Sequence, residues 1–396
     1  MKTFSGFWKK SFAVTLLKVG FVIVVSVYLG ELCLRLICRQ GLMPDIYEYD
    51  RNTFYRLKPH LELRHETDDF AVTICTDSHG WRTDCPTSRY TPGARRRALF
   101  LGDSMTFGWG VENGETFVSL VGQALRRSGV DDVEVVNLAT PSFSSCASSA
   151  RFRREGGVNA TDFVFPVIFL GNDFDENGLQ YLYRRSPFFS RFGTQTLQIG
   201  LALRHNMLAA VGRYNSLVPG DLELKYLPYN GAIVLTGLFH AFTLRRPPSE
   251  QLAAIEQQVT FACVNDLHRA AMAAGVEPVF IILDARLDES DDVDRGAPSG
   301  RGLREDALVR YFSRKGFHYI NLKEKLQGLY PEMTSLPQFP KDGHFTPEGH
   351  RMIAEVLLDP ILKTVGGGGV SFMHRNDAYL QKWTKYASGD ASLPEL

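Results

Sequence analysis

The sequence predicts an α/β fold built on a parallel sheet of about five strands. Apolar runs recur at Arg97–Leu101, Val133–Leu138, Phe163–Leu170, Pro278–Leu283 and Phe317–Leu322, with stretches of helical period between them. Strands separated by helices return through right-handed crossovers, which makes neighbouring strands parallel. The runs also end in a telling way. The first stops at Gly102-Asp103-Ser104 and the third at Gly171-Asn172-Asp173. Polar residues delivered to the carboxyl edge of such a sheet line its ligand crevice.

The elements follow in order. Arg97–Leu101 leads to a helix over Thr116–Ser128, with Phe117, Leu120, Val121 and Leu125 on one face and Gly129 as its stop. Val133–Leu138 is followed by a serine-rich loop around Pro141 and a helix to about Glu155. After Phe163–Leu170, Ser249 caps a long helix to Ala274, and Gly275 ends it. A loop rich in Asp, Gly and Pro spans Asp288–Gly302, then a helix runs over Leu303–Arg314. The last helix is Pro347–Val365, with Thr346 as N-cap and Pro347 at its first position.

Residues 174–248 break the rhythm and are rich in aromatics and arginine, among them Tyr181, Tyr183, Arg184, Phe188 and Arg191. An interruption this long is a functional segment or a subdomain. Its apolar run Gly231–Phe242 is too short to span a membrane and reads as an interfacial helix, a lid, or part of a helical insertion. Its place directly after Asn172 puts the segment beside the crevice.

The N-terminus is a separate signal. Phe12–Gly30 is apolar except for Lys18, and Lys2, Lys9 and Lys10 precede it. As a helix this run crosses about 30 Å of hydrocarbon. No small-residue cleavage site follows Tyr28, so an uncleaved signal anchor is expected. The lysines place the N-terminus in the cytoplasm and the rest of the chain outside it, although Arg35 and Arg39 count the other way. A buried helix is the alternative. Residues 1–42 are thus an anchor and juxtamembrane segment, 43–94 a lead-in, and 95–365 the main domain with its insertion at 174–248. Residues 366–396 form a polar tail after Gly366–Gly369. The lead-in suggests strands at Phe54–Pro59 and Phe70–Ile74 and a turn at His79-Gly80-Trp81-Arg82.

Composition excludes several classes. The 44 Lys and Arg balance 44 Asp and Glu, so no basic field points to nucleic acid. Arg95-Arg96-Arg97 reads as a solvated approach to the first strand. No phosphate-binding glycine loop and no Cys/His cluster of zinc spacing occurs, so neither metal nor cofactor is expected. Cys33 and Cys38 lie at the membrane exit, and Cys146 and Cys263 in helical or loop segments. Cys75 and Cys85 flank a turn and can pair if this part is exported; buried free thiols are the alternative.

Three stretches can carry chemistry. Ser104 follows the first core strand, where unpaired helix N–H groups can meet an oxyanion; alone, it reads equally as an N-cap. Asn172 follows the third strand. In Asp342-Gly343-His344 the carboxylate can accept from His344 Nδ1 and leave Nε2 free as a base. His350, on the last helix, reads as a packing or capping residue.

Taken together, Gly102-Asp103-Ser104 with Thr106-Phe107-Gly108, Asn137-Leu138-Ala139-Thr140-Pro141, Gly171-Asn172-Asp173 and Asp342-Gly343-His344 resemble the four blocks of the SGNH (GDSL-type) hydrolases. The resemblance covers roughly residues 95–175 and 250–365, and the anchored layout resembles a bacterial subgroup of that family. It implies a flavodoxin-like three-layer α/β/α fold and an ester hydrolase. It implies Ser104 as nucleophile, His344 as base and Asp342 as its orienter. The oxyanion hole would be formed by the Ser104 N–H, an N–H of the second block and the Asn172 amide. The second block departs from the pattern, because its usual glycine corresponds to Ser142. Asp103 and Asp173 would hold loops. The expected substrate is an O-acyl ester on a glycan or lipid. The same triad also serves acyl transfer to a sugar hydroxyl, and the fold without chemistry serves a membrane-tethered binding module.

Overall fold

The computed structural model describes residues 15, 18–22, 24–29, 46–50, 53–85, 96–155, 163–185, 249–288 and 301–366. The chain divides into two compact units. One comprises 1–45 and 187–245, the other 46–186 and 246–396. In the first unit, the described residues 18–22 and 24–29 are helical, and Phe21, Val22 and Leu29 are well exposed. Among the described residues no helix is long and apolar enough to cross a membrane. The rest of the expected anchor lies outside the described residues. So do Cys33, Cys38, Gly231–Phe242, nearly all of the insertion beyond Arg185, and the tail after Gly366.

The second unit holds one eight-stranded sheet. Its parallel part comprises β6 (Arg96–Leu101), β7 (Val133–Asn137), β8 (Phe163–Phe169), β9 (Val279–Leu283) and β10 (His318–Asn321). Their spatial order is β10-β9-β8-β6-β7. This is the 2-1-3-4-5 order of flavodoxin-like sheets, with the switch point beside β6. The alternation of side chains builds two cores. Phe100, Phe165 and Ile281 face α2 (Phe117–Arg127) and α8 (Pro347–Val365). Leu99, Val164 and Ile282 face α3 (Ser145–Glu155), α5 (Ser249–Ala273) and α6 (Arg301–Lys315). A strand buried on both faces needs a continuous apolar run; β8 and β9 have one, β6 has one after its two arginines, and β7 and β10 carry polar residues.

The five expected parallel strands are present, and the sheet goes beyond them. The lead-in adds β3 (Glu62–Glu66), β4 (Ala71–Thr76) and β5 (Arg82–Thr83), which extend the sheet antiparallel from the edge of β7. β4 is the strand expected at Phe70–Ile74, whereas β3 is mostly polar and β5 has two residues, so periodicity shows those two weakly. The hairpin β1 (Tyr47–Asp50) and β2 (Phe54–Leu57) stands apart as a second sheet. Ile46, Leu57, Phe70, Val72 and Ile74 form a third core with Phe107 and Trp109, beside the end of β6.

Further corrections concern single segments. Arg97 is not solvated: it is 4% exposed and pairs with Glu134 at 3.7 Å. The start of the irregular segment is helical, α4 (Asp173–Arg185), and packs in the second unit. Leu322–Leu329 forms α7, which the apolar pattern did not show. The described cysteines are not free thiols, because Cys75 bonds Cys85 and Cys146 bonds Cys263. The second bond staples α3 to α5 and was not legible, since its partners are 117 residues apart.

Candidate active site

Ser104 opens α1 (Ser104–Phe107), the short helix that follows β6. It is not the N-cap; Asp103 is, and its carboxylate accepts from the Met105 N–H at 3.0 Å. The turn is tight enough to require glycine at 102, where an added Cβ would lie 2.3 Å from Thr106 Oγ1. Arg82 of β5 fixes the far end of the helix. Its guanidinium is buried and donates to the carbonyls of Phe107, Gly108 and Val111 at 3.1, 2.8 and 2.5 Å. Burial draws Arg82 down to about 10, so it keeps its charge at neutral pH.

Asp342 and His344 reach Ser104 from the loop before α8. His344 Nε2 lies 2.7 Å from Ser104 Oγ, and His344 Nδ1 lies 2.5 Å from Asp342 Oδ1. Burial opposes ionisation of Asp342, but hydrogen bonds and charge from His344, with help from Trp109, hold its carboxyl below the ordinary value. An ionised carboxylate only accepts, so a neutral His344 carries its proton on Nδ1 and accepts from the serine at Nε2. The His344 and Asp342 side chains are each 22% exposed, so the pair is open to a small ligand.

The loop is held by the lead-in. Asp69 Oδ2, on the turn between β3 and β4, accepts the backbone N–H groups of Lys341 and Asp342 at 2.8 and 2.7 Å. Asp68 adds an ion pair with Lys341 at 2.7 Å. Phe70 packs on Phe339 with ring centroids 5.3 Å apart. These partners come from a different stretch of chain, and no local motif marks them.

Ser142 sits at φ 62°, in the left-handed region that favours glycine. Tyr55 and Tyr47 of the separate hairpin grip this loop, donating to the carbonyls of Ser142 at 2.5 Å and Pro141 at 3.3 Å. Thr140 N–H donates to Gly102 O at 3.1 Å, tying the loop to the turn before Ser104.

Asn172 lies after β8, and its side chain is engaged. Nδ2 donates to Glu176 Oε1, one helical turn along α4, at 3.2 Å. Burial raises the carboxyls around it. Asp103 rises to about 6, with His344 opposing. Asp173 rises well above the ordinary range, through burial and then Asp103 and Glu176. Glu176 rises to about 8, through burial and then the charges of Asp103 and Asp175. Sequence reading missed Glu176, although its place one turn after Asn172 is the signal that finds it.

His350 is not part of the relay. It is buried, stacks on Phe117 and accepts from the Phe117 N–H at 3.2 Å. Burial, with Arg82 and His344 adding, pushes it down to about 3, so it is a neutral acceptor capping α2. Among the described residues no group of His, Cys, Asp and Glu is placed to hold a metal ion. With His344 in hydrogen-bond reach of both the Ser104 hydroxyl and the Asp342 carboxylate, the arrangement can take the serine's proton as its oxygen attacks a carbonyl.

No family model matches the chain, and no curated protein matches it. Solved structures with a similar chain path are found. A lipolytic protein of the G-D-S-L family from Veillonella parvula is 11% identical, with 67% of this chain and 97% of that one covered, at a TM-score of 0.37. The psychrotrophic esterase EstA from a Pseudoalteromonas species is 11% identical, covering 68% and 99%, at 0.38. A variant of an acetyl-xylooligosaccharide esterase from Geobacillus is 11% identical, covering 71% and 99%, at 0.40. The chain is similar in path to these proteins, and its own side chains carry the reading of its chemistry.

Proposed function

We propose that this chain is a serine ester hydrolase of the SGNH type. One observation carries the reading: His344 bridges Ser104 Oγ at 2.7 Å and Asp342 Oδ1 at 2.5 Å. Ser104 Oγ attacks the ester carbonyl while its proton passes to His344 Nε2. The tetrahedral adduct collapses, the C–O bond to the alcohol breaks, and the alcohol leaves with that proton. Water, deprotonated by His344, then releases the acid and restores the serine. The Ser104 N–H, the Ser142 N–H and the second Nδ2 hydrogen of Asn172 are the donors proposed for the oxyanion, each worth about 2.7–4 kcal/mol in the transition state.

The proposed substrate is an O-acyl ester borne on a glycan or lipid, with water as acceptor. The anchor at Phe12–Gly30 remains part of the proposal, with the catalytic unit outside the cytoplasm. The two disulfides support an oxidising compartment. The helical, exposed Phe21, Val22 and Leu29 support a lipid-facing surface.

A fluorophosphonate probe tests the core of this reading. The Ser104 Oγ–P bond forms, the P–F bond breaks, fluoride leaves and the proton goes to His344. Labelling of the wild type and not of Ser104→Ala is expected. Absence of labelling in a folded wild type would overturn the assignment.

A further inference from the structure

The Asn172 and Glu176 side chains face each other with two buried atoms left over. Asn172 Nδ2 donates to Glu176 Oε1 at 3.2 Å. Asn172 Oδ1 and Glu176 Oε2, the other atom of each group, have no hydrogen-bond partner among the described residues. Both atoms are acceptors if Glu176 is ionised, and each then loses its water for nothing. One proton on Glu176 satisfies both. Oε2–H donates to Oδ1 while Nδ2–H donates to Oε1, closing an acid–amide ring. That ring uses the amide hydrogen on the side of Oδ1. The second Nδ2 hydrogen lies outside the ring, where the Asp103 carboxyl borders it in the resting structure and a ligand oxygen can take that place.

We infer that Glu176 works as a protonated positioning residue, locking the Asn172 amide in a cyclic pair so that its second N–H serves the oxyanion. This rests on the serine hydrolase reading.

The surroundings of Glu176 favour the neutral acid. Asp103, from the turn before α1, and Asp175, on its own helix, both repel a charge there. Asp173 joins them, and Tyr55 of β2 interacts with Glu176. The cations on the packed helices are engaged elsewhere. Arg304 of α6 pairs with Asp175 at 2.5 Å and with Glu256 of α5 at 3.3 Å. On α3, Arg153 pairs with Asp266, and Arg154 with Asp50 and Glu155. The resulting value of about 8 keeps Glu176 protonated at neutral pH and ionises it in mild alkali. Ionisation opens the ring and sets a negative charge beside the developing oxyanion.

The test is the pH profile of fluorophosphonate labelling of the full chain, purified in mild detergent, from pH 6 to pH 10. The probe's phosphoryl oxygen occupies the oxyanion position, so the rate reads the hole without knowledge of the natural ester. The wild type should show an alkaline fall centred on about pH 8. Glu176→Ala should label about tenfold more slowly at pH 7 and lack that limb. Glu176→Gln, whose amide closes the same ring at every pH, should recover most of the rate and also lack the limb. A wild type with no alkaline fall, a Glu176→Gln that keeps it, or a Glu176→Ala as fast as wild type overturns the inference. These results leave the hydrolase reading intact so long as labelling requires Ser104. Labelling independent of Ser104, or none at all, removes the reading and the inference with it.

Discussion

The carboxylate of Asp69 receives the backbone N–H of Asp342 at 2.7 Å, across 273 residues of sequence. A turn of the lead-in thereby sets the position of the loop that carries His344. Asp69→Ala should lower turnover about tenfold with little change in the Michaelis constant, since the shift acts on the transition-state geometry. Asp69→Asn should restore it, because an amide oxygen can accept both N–H groups. Equal losses in the two variants would show that charge, and not the backbone contacts, matters at this position.

Ser104→Ala and His344→Ala should abolish nearly all esterase activity and leave the melting temperature within a few degrees of wild type. Asp342→Asn should reduce turnover severely, since an amide cannot hold the His344 tautomer as a carboxylate does. A purified, folded Ser104→Ala with full activity on a substrate of the wild type would sink the assignment.

Ser142 is a second place to test the site. Its φ of 62° costs a side-chain-bearing residue about 1 kcal/mol that glycine avoids. Ser142→Gly should hold or raise stability by under about 1 kcal/mol, part of the gain being offset by the freer unfolded chain. Ser142→Val should destabilise and slow turnover, because a β-branched residue is an outlier at that φ. Urea denaturation of the three proteins reads the difference.

The disulfides should differ in weight. Cys146–Cys263 closes a separation of 117 residues and Cys75–Cys85 one of 10. In the chain-entropy account, loss of the long loop costs about 2 kcal/mol more than loss of the short one. Paired Cys→Ser variants compared in denaturant check this, and equal losses would rule out an entropic origin.

His350 supplies a pH prediction for stability. Its folded value of about 3 lies below the unfolded value near 6.5. Below pH 6.5 the unfolded chain binds a proton there that the folded one does not. Stability from this residue is therefore present above pH 6.5 and falls as the pH drops towards 3, by up to about 1.4 kcal/mol per pH unit. His350→Gln keeps an acceptor for Phe117 N–H without the titration. The wild-type advantage over it should shrink with acid, and a constant gap across that window would refute the account.

The parts of this molecule that could be read from its sequence share a cause. The parallel strands show as apolar stretches, clearest at 98–101, Phe163–Phe169 and Val279–Leu283, and Thr346-Pro347 is a local signal for the start of α8. Ser104 opens the helix that follows β6, and Asp342 and His344 sit in the loop before α8, so their convergence follows from where the elements end. Among the antiparallel strands β4 shows in the apolar residues of Phe70–Ile74, whereas β3 is mostly polar and β5 has two residues. Arg97 is buried because Glu134 stands beside it on β7, a pairing that composition does not reveal. Asp69, Tyr55 and Arg82 act through contacts made only after the lead-in has folded onto the main sheet.

Ser104 and His344, the proposed nucleophile and base, are separated by 240 residues. A ribosome adding about 5–20 residues per second takes roughly 10–50 s to travel from one to the other. For all that interval Ser104 exists without an imidazole. On the proposed roles, the reactive pair is assembled only after synthesis has passed His344, and chains stopped before it carry an inert serine.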